Sequence, residues 1–311
     1  MKSNKHQAAR LLIQHLLLII FLIEVLFIPK EKPLLKPCSA LLIAVMIAEI
    51  IFIIKAAKDV RKQDFIGTGP TDISSILWLF MAFWELMTSI LDKAHPVLVP
   101  APENVFYTFI EQHRIMLLNI SYSMELLIGG MVTALVLAIA LGLFCGWNER
   151  LKAFAYPIAN VMAPIPAIVI SPFLVAIMPS FRSASLLVVI LGVFWPQFLG
   201  TINRIASIEP EILDSARIMK LSQPVMIFKV LLPYIIPGVL SGLKVTMTTS
   251  VLMLNFAELM GATHGMGYYI QNSITYANYT HAVAGIIVIG IVVTILSAIV
   301  GLIQKKLIRW R

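Results

Sequence analysis

The sequence predicts an all-α, polytopic membrane protein, and three observations carry this prediction. First, 59% of the 311 residues are hydrophobic and only 13% are charged, which is about half the charged fraction of a soluble domain. Second, the mean hydropathy is +0.90. Third, eight stretches approach the length of about 20 mostly apolar residues that a spanning helix needs. These stretches are residues 11–28, 38–54, 73–92, 116–146, 157–178, 184–203, 234–262 and 282–303.

The N-terminal stretch has the basic start and apolar run of a signal peptide. No small-x-small cleavage site follows the run, so we expect a retained membrane anchor. The two cysteines, Cys38 and Cys145, both fall in apolar segments. Neither a disulfide framework nor a metal-ligand spacing is open to them.

Lysine and arginine predict the orientation, because cytoplasmic loops carry an excess of both. With the N-terminus inside, cytoplasmic pieces hold 17 of the 24 basic residues, outer pieces hold six, and Lys244 lies in a span. The cytoplasmic set is Lys2, Lys5, Arg10, Lys55, Lys58, Arg61, Lys62, Arg150, Lys152, Arg204, Arg217, Lys220, Lys229, Lys305, Lys306, Arg309 and Arg311. The outer set is Lys30, Lys32, Lys36, Lys93, Arg114 and Arg182. We therefore expect both termini in the cytoplasm, and the net charge of +8 reflects loop bias rather than nucleic-acid binding.

The segment EILDSARIMKLSQPVMIFKVLLP, residues 211–233, is the longest polar stretch in the second half of the chain. Its predicted place is cytoplasmic, between the sixth and seventh spans. Pro210 suits the first turn of a helix, and the apolar residues Ile212, Ala216 and Met219 follow at helical spacing. The sequence therefore predicts a short amphipathic helix here.

Pro224 is predicted to end the first helix and to begin a second one. The expected apolar face of the second helix consists of Val225, Phe228 and Leu232. Pro233 and Pro237 are expected to lead from this helix into the next span. Physical reasoning leaves two interpretations of the hairpin open: a connector lying on the membrane surface, or a docking element for a soluble subunit.

Three further segments belong with residues 211–245: VLVPAPENVFYTFIEQ (97–112), APIPAIVISPFLVAI (163–177) and NFAELMGATHGMGYYIQNS (255–273). In their order along the chain, the four segments resemble inner-membrane permeases of binding-protein-dependent ABC importers of the nitrate/taurine/alkanesulfonate branch. Residues 211–245 resemble the cytoplasmic Glu-Ala-Ala loop of these permeases. The resemblance implies a type I importer-like permease core over residues 73–311, with coupling helices at about 210–232. The N-terminal extension, residues 1–72, then supplies two additional spans and a basic cytoplasmic linker.

The resemblance also implies a function and partners. Such a permease translocates a small, here anionic, solute that an extracytoplasmic solute-binding protein delivers. It pairs with a second permease copy or a paralogue, and two cytoplasmic ATP-binding subunits bind and hydrolyse the ATP. The implied contacts with those subunits are Glu211, Asp214, Ser215, Ala216, Arg217, Lys220, Leu221 and Ser222. Lys220 stands where the family usually has a glycine, the residue that makes a tight turn at least cost.

The motifs of common enzymes are missing from the sequence. The stretch GVLSGLKV (238–245) lacks the GxxxxGK[ST] spacing of a phosphate-binding loop, and no HExxH, GxSxG or CxxC occurs. We therefore expect a non-enzyme without a cofactor or metal of its own.

Charged residues within spans are costly and are candidates for function. The predicted set is Glu24, Glu49, Glu85, Glu125, Lys244 and Glu258. We expect the first three to pair within the N-terminal helices and Lys244 to reach the headgroups. The alternative function, an ion-coupled secondary transporter, would use Glu85, Glu125 or Glu258 as ion sites.

Glu258 and Asn255 lie one helical turn apart in a segment covered by the resemblance. Two roles stay open for them: lining of the substrate path, or a hydrogen bond between packed helices. Gly265 and Gly267, with Gly261, permit a tight re-entrant turn, which we interpret as an outer gate, with a simple loop as the alternative. The fifth span is expected to be broken by Pro157, Pro164, Pro166 and Pro172.

Overall fold

The computed structural model describes residues 2–28, 36–61, 69–95 and 97–307, without the side chains of residues 2–9, 57–61 and 217. Within these ranges the chain is helical and has no strand, which confirms the predicted fold class. In the same ranges six helices are long and apolar enough to cross a membrane, or seven if one bent pair counts as a span. The first predicted span falls in a further helix, Lys2–Leu26, outside that count.

Two compact units make up the chain. Unit 1 comprises Met1–Ile115 with Asn272–Ile286, and unit 2 comprises Met116–Gln271 with Ile287–Arg311. The predicted domain boundary at residue 72 separates two additional spans from a permease core, and this boundary stays a prediction. Much of the predicted basic linker and of the outer turn at 29–37 lies outside the described residues.

Unit 1 is built on a bundle of apolar helices. Its helices are α1 (Lys2–Leu26), α2 (Ser39–Arg61), α3 (Gly69–Glu85), which continues into a π-helical turn (Leu86–Ile90), and α4 (Pro102–Glu111). α3 packs along α1, and α4 packs along α2. Phe21 of α1 stacks on Trp78 of α3 with ring centroids 6.3 Å apart, and the buried side chain of Leu41 joins them from α2.

A carboxylate inside this bundle is paired, as predicted. Glu49 accepts hydrogen bonds from Nε2 of Gln14 at 2.9 Å and from Nε1 of Trp78 at 3.1 Å. Nε2 of His15 lies 3.7 Å from the same carboxylate. Glu49 therefore joins all three N-terminal helices, which reduces the cost of placing a charge within a span.

Unit 2 contains the long central helices. They are α5 (His113–Trp147), α6 (Glu149–Met162), α7 (Ala167–Ile177), α8 (Phe181–Ala206), α9 (Pro210–Ile218), α10 (Gln223–Val225), a π-helical turn (Met226–Leu231), α11 (Leu232–Leu259), α12 (Met266–Thr275) and α13 (Tyr279–Leu307). Residues 272–286 of the last two helices belong to unit 1. α8 packs against α6, α7 and α11.

A row of small residues brings α5 close to α8. The row recurs at every fourth position: Gly130, Ala134, Ala138, Gly142 and Gly146. A stripe of small residues lets two helix backbones approach closely in a membrane, where water does not drive the helices together. Both alanines of the row are fully buried.

Added methyl groups on this row would collide with α8. A Cβ at Gly142 would lie 2.7 Å from Cβ of Thr201, and one at Gly146 would lie 2.6 Å from Cδ1 of Ile205. Each facing residue comes 59 positions later in the chain (201 − 142 and 205 − 146). The constant offset means that α5 and α8 run parallel in one register.

The fifth predicted span is broken, although by fewer prolines than expected. α6 and α7 meet at an angle of 92° across residues 163–166, where Pro164 and Pro166 stand. Pro157 and Pro172 instead lie inside the two helices. Two prolines so close together deprive one turn of two N–H donors and disfavour helical conformation before each ring.

The second predicted short helix is not separate from its span. Helical structure runs without a break from Gln223 to Leu259, through both Pro233 and Pro237. A proline ring clashes with the carbonyl four residues earlier, and for Pro233 that carbonyl belongs to Lys229, inside the π-helical turn. The wider turn accommodates the ring and keeps the helix continuous.

The close α5–α8 contact can be tested with two neighbouring glycines. A Cβ at Gly130 would lie 2.8 Å from Cγ1 of Val189, whereas one at Gly129 would meet only Cδ1 of Leu186 at 3.9 Å. We expect Gly130→Ala to lower the unfolding free energy by about 1–3 kcal/mol through overpacking. Titration of the purified protein with a denaturing detergent measures this change.

Gly129→Ala is the matched control for that experiment. It adds the same methyl group one position away and should be neutral or stabilising by up to about 1 kcal/mol, because alanine favours the helix. Equal effects of the two substitutions would contradict the close contact.

Candidate functional site

One end of unit 2 carries the segment between α8 and α11, residues 207–222, which we call the α9 segment. α9 packs one side against its own unit through Ala216, which is buried against Ile205, Met226 and Leu231. Pro210 opens the helix as predicted, and the carbonyl of Glu209 accepts from the N–H of Ile212 at 3.1 Å. The α9 segment is thus anchored to both flanking helices.

The turn after α9 places Lys220 in the left-handed region, with φ at +49°. The N–H of Leu221 bonds to the carbonyl of Ala216 at 3.4 Å, the six-to-one bond of a Schellman motif. In that motif the left-handed position is usually a glycine, because a side chain there costs roughly 1–2 kcal/mol. The conformation therefore agrees with the prediction that a glycine would suit this position better.

The exposed side of the α9 segment carries large apolar residues. Ile218 is 81% exposed and Met219 is 70% exposed, and nearby Phe228 is 62% exposed. Met219 and Phe228 belong to the predicted apolar faces, and both are exposed. Leu232, from the same predicted face as Phe228, packs against the cluster that holds Met226, Ile227 and Leu231.

The remaining predicted contact residues divide by exposure. Glu211, Asp214, Ser215, Lys220 and Ser222 are exposed, and Leu221 is partly buried. The hydroxyl of Ser215 donates to the carbonyl of Glu211 at 2.7 Å. The side chain of Arg217 lies outside the described side chains. Apart from Ala216 and Leu221, the described members of the set present a polar surface beside the apolar residues.

A hydrogen bond joins the end of α5 to the helix after this segment. Nε1 of Trp147 donates to Oε1 of Gln223 at 2.7 Å. Trp147 also packs against the cluster that holds Ala216. The α9 segment is therefore linked to α5 as well as to α8 and α11.

The opposite end of unit 2 is organised by Glu258, which is 1% exposed. Its Oε1 accepts from the hydroxyl of Ser123 at 2.7 Å, and its Oε2 accepts from the N–H of Gly267 at 2.8 Å. The Ser123 hydroxyl in turn accepts from the N–H of Met266 at 2.9 Å. Asn119 accepts from the N–H of Gly265 at 2.8 Å. We call these residues the Glu258 cluster.

The glycines of this region fit the cluster for two physical reasons. Gly261 and Gly265 have φ values of +135° and +117°, which side chains rarely adopt. A Cβ at Gly265 would lie 2.5 Å from Oε1 of Glu258, and one at Gly267 would lie 2.7 Å from Cβ of Glu258. The predicted tight turn is present, and it closes directly over the carboxylate.

The structure brings the four predicted path residues together. Glu258, Gly265 and Gly267 are in direct contact, and the backbone carbonyl of Asn255 lies against Gly267, where an added Cβ would collide with the carbonyl oxygen. Asn255 donates from its side-chain amide to the carbonyl of Val251 in its own helix at 2.9 Å. Glu258 is thus the acceptor that holds the turn and the start of α12 against α5. A role of Glu258 in lining the substrate path stays a prediction.

Sequence reasoning missed Asn119 and Ser123. Both are polar residues within an apolar helix, and that pattern was the available signal, since polar side chains in a span usually find partners. Their partners lie more than 130 positions later in the chain, so only the tertiary structure identifies them.

The other charges predicted within the spans of unit 2 lie at exposed positions. Glu125 forms an ion pair with Arg182, and both side chains are more than half exposed. Lys244 is also exposed. Within the described residues no group of three His, Cys, Asp or Glu side chains is arranged to hold a metal ion.

Unit 2 thus carries an anchored amphipathic segment at one end and a closed polar turn at the other. The model of one protein family, the binding-protein-dependent transport system inner membrane component, matches residues 138–311. The chain belongs to this family. The match includes the α9 segment, Glu258 and the glycine turn.

Curated relatives agree with the family. The chain is 24% identical to the putative aliphatic sulfonates transport permease protein SsuC of Bacillus subtilis, over 75% of this chain and 85% of that protein. It is 25% identical to the nitrate import permease protein NrtB of Leptolyngbya laminosa, over 77% and 87%. It is 22% identical to the taurine transport system permease protein TauC of Escherichia coli, over 76% and 88%.

A solved structure supports the fold. The inward-facing MetNI methionine ABC transporter contains a chain that matches with a TM-score of 0.50 and 19% identity, over 65% of this chain and 97% of that chain. The protein is therefore a multi-pass ABC importer permease of the nitrate/sulfonate/taurine branch. Family membership favours this function over the ion-coupled secondary transporter. A permease of this kind works with an ATP-binding subunit and a substrate-binding protein.

The strained turn predicts that two lysine-to-glycine substitutions change the unfolding free energy in opposite directions. Lys220→Gly should raise the unfolding free energy by about 1 kcal/mol, because it relieves a left-handed side-chain conformation. Lys229→Gly, in the helical segment that follows, should lower it by a similar amount. Denaturing-detergent titration of both purified variants measures the two changes, and a loss of stability in Lys220→Gly would refute the strain.

The Glu258 cluster gives a second prediction. In Glu258→Gln an amide nitrogen replaces one of the two carboxylate oxygens that accept hydrogen bonds. We therefore expect the unfolding free energy to fall by about 1–3 kcal/mol. Glu125→Gln makes the same change at an exposed ion pair and should cost at most about 1 kcal/mol. Thermal unfolding in detergent compares the two, and equal losses would argue against a structural role for Glu258.

Proposed function

We propose that this permease imports a small oxyanionic solute, of the sulfonate or nitrate class, that an extracytoplasmic solute-binding protein delivers. The names of three relatives, which concern aliphatic sulfonates, nitrate and taurine, support this substrate class. Selection of the individual solute is assigned to the binding protein, because that partner binds the solute first. The chain acts together with a second permease, either another copy or a paralogue.

The α9 segment is the proposed docking site for the cytoplasmic ATP-binding subunits. The observation that carries this assignment is the exposed apolar pair Ile218 and Met219 beside the polar residues Glu211 and Asp214. Apolar residues surrounded by polar ones are typical of interaction sites. Charged residues at the rim contribute to register and specificity. The permease itself is proposed to bind no nucleotide and to hydrolyse none, since its sequence has no phosphate-binding loop.

The proposed docking of the ATP-binding subunits at the α9 segment implies an orientation of the chain in the inner membrane. ATP-binding subunits lie in the cytoplasm, so the α9 segment lies there too. The two long apolar helices α11 and α13 follow it, and two crossings return the C-terminus to the same side. The excess of lysine and arginine on that side supports the orientation, with the N-terminus also inside.

The contacts of the α9 segment supply a route for coupling. Closure of the ATP-binding subunits would displace α9, which is fixed to α8 and to α11 through Ala216 and its neighbours. The Trp147–Gln223 hydrogen bond carries the same displacement to α5. We propose that these three helices reorient together and expose the solute alternately to the two sides of the membrane.

A charge placed on the exposed apolar pair tests the docking site. Ile218→Glu should weaken co-purification of the ATP-binding subunit by about tenfold or more, because the carboxylate loses its water on binding. Uptake by the reconstituted importer should fall in parallel. Lys152→Glu changes a charge in α6, outside the α9 segment, and should leave both nearly unchanged.

Thermal unfolding of the isolated permease should be the same for wild type and Ile218→Glu, because the side chain is exposed. Normal co-purification and normal uptake of Ile218→Glu would overturn the assignment of the docking site.

A further inference from the structure

A cavity of about 300 Å³ lies at the same end of unit 2 as the Glu258 cluster. α5 contributes Tyr122 to its wall, the start of α8 contributes Ser180, Arg182 and Ser185, and the glycine turn contributes Thr263. This volume is at the lower limit of small-molecule sites. The cavity therefore suits only a compact ligand.

Ser180, Phe181 and Arg182, at the start of α8, line this cavity. Ser180 caps the helix: its hydroxyl accepts from the N–H of Ser183 at 3.2 Å, and its carbonyl accepts from the N–H of Ala184 at 3.1 Å. In the described part of the chain, no acceptor is found for the N–H groups of Phe181 and Arg182. Such N–H groups and the positive end of the helix dipole attract anions.

Ser185 is a second, independent indication of a ligand. The residue is 2% exposed, yet it lines the cavity. Among the described residues no hydrogen bond of its hydroxyl is found, and its oxygen is not one of the fully buried unpartnered side-chain atoms. The hydroxyl is therefore open toward the cavity, and a polar ligand there would supply the partner that polar side chains in protein interiors nearly always have.

The guanidinium of Arg182 supplies the charge. It lies 5.8 Å from the ring centroid of Tyr122 and pairs with Glu125. The ring of Tyr122 also lies 5.4 Å from that of His264. Both partners of the ion pair are more than half exposed, so other groups can reach them. An oxyanion that also meets two N–H groups and a hydroxyl can therefore compete with Glu125 for the guanidinium.

We propose that this cavity is an oxyanion site that receives the sulfonate or nitrate group of the solute on its way into the permease. Arg182 pairs with the anion, Ser185 and the N–H groups at the start of α8 bind its oxygens, and Glu125 occupies Arg182 when no solute is present. The inference rests on the proposed function for the substrate class. The Glu258 cluster shapes the site indirectly, because it holds the turn that carries Thr263.

A binding experiment with matched probes tests the site. The probe is methanesulfonate, and dimethyl sulfone is its neutral counterpart of similar size. A ligand that binds only the folded state raises the unfolding temperature. The change in the unfolding temperature of the purified full-length protein in detergent therefore measures binding. Methanesulfonate should raise the unfolding temperature of the wild type in a dose-dependent way, and dimethyl sulfone should not.

Four variants separate an anion site from a structural ion pair. Arg182→Gln should weaken methanesulfonate binding about tenfold or more, and Ser185→Ala about threefold or more, as loss of charge-assisted and neutral hydrogen bonds implies. Glu125→Gln should strengthen binding, because it removes the competing carboxylate. Arg114→Gln is the control that removes an exposed arginine outside the cavity, and it should change nothing.

Two results would overturn the site: equal shifts of the unfolding temperature with both probes, or the same loss of binding in Arg182→Gln and Glu125→Gln.

Uptake in the complete importer then separates the oxyanion site from the proposed substrate class. Normal uptake by Arg182→Gln, beside an active wild type, overturns the site and leaves the substrate class intact. A wild type that imports neither sulfonate nor nitrate, yet binds methanesulfonate through Arg182, overturns the substrate class of the transport reaction and keeps the anion site.

Discussion

The parallel contact between α5 and α8 is the interaction on which the rest of unit 2 depends. In lipid, helices gain little from burying apolar surface, and close packing of small residues takes over. The glycines and alanines of α5 supply that packing from Gly130 to Gly146. Because the register is constant, the end of α5 at Trp147 lies level with the end of α8 and the α9 segment. Tyr122 and Ser123, in the first third of α5, lie level with the start of α8 at Arg182.

The irregular parts of the backbone occur where other groups compensate for them. The glycine turn would expose several N–H groups, and Glu258, Ser123 and Asn119 accept three of them. Unsatisfied backbone groups at membrane depth are costly, so irregular backbone survives only under such cover. A buried carboxylate therefore has a structural use here that does not require it to touch a solute. Its position nevertheless fixes the wall of a cavity that does suit one.

Much of the architecture could be predicted, because hydropathy and motif order act locally along the chain. A tight turn at Lys220 was expected, because the permeases that the sequence resembles usually have a glycine at this position. The burial of Met226 and Ile227 was not predicted, because the π-helical turn from Met226 to Leu231 departs from the 3.6 residues per turn that spacing rules assume. Ser123 and Asn119 were missed because their partners come from a distant part of the chain. The α8 cavity likewise exists only once α5, α8 and the glycine turn meet.

α5 has a mechanical consequence that follows from its length. Ser123 near one end holds the Glu258 cluster, and Trp147 at the other end holds Gln223. At 1.5 Å per residue these positions are about 36 Å apart, and no proline lies between them. A continuous helix of that length can act as a lever. If Trp147 is the pivot, a tilt of roughly 10° carries Ser123 sideways by about 6 Å for that rise per residue, slightly more than the pitch of one helical turn.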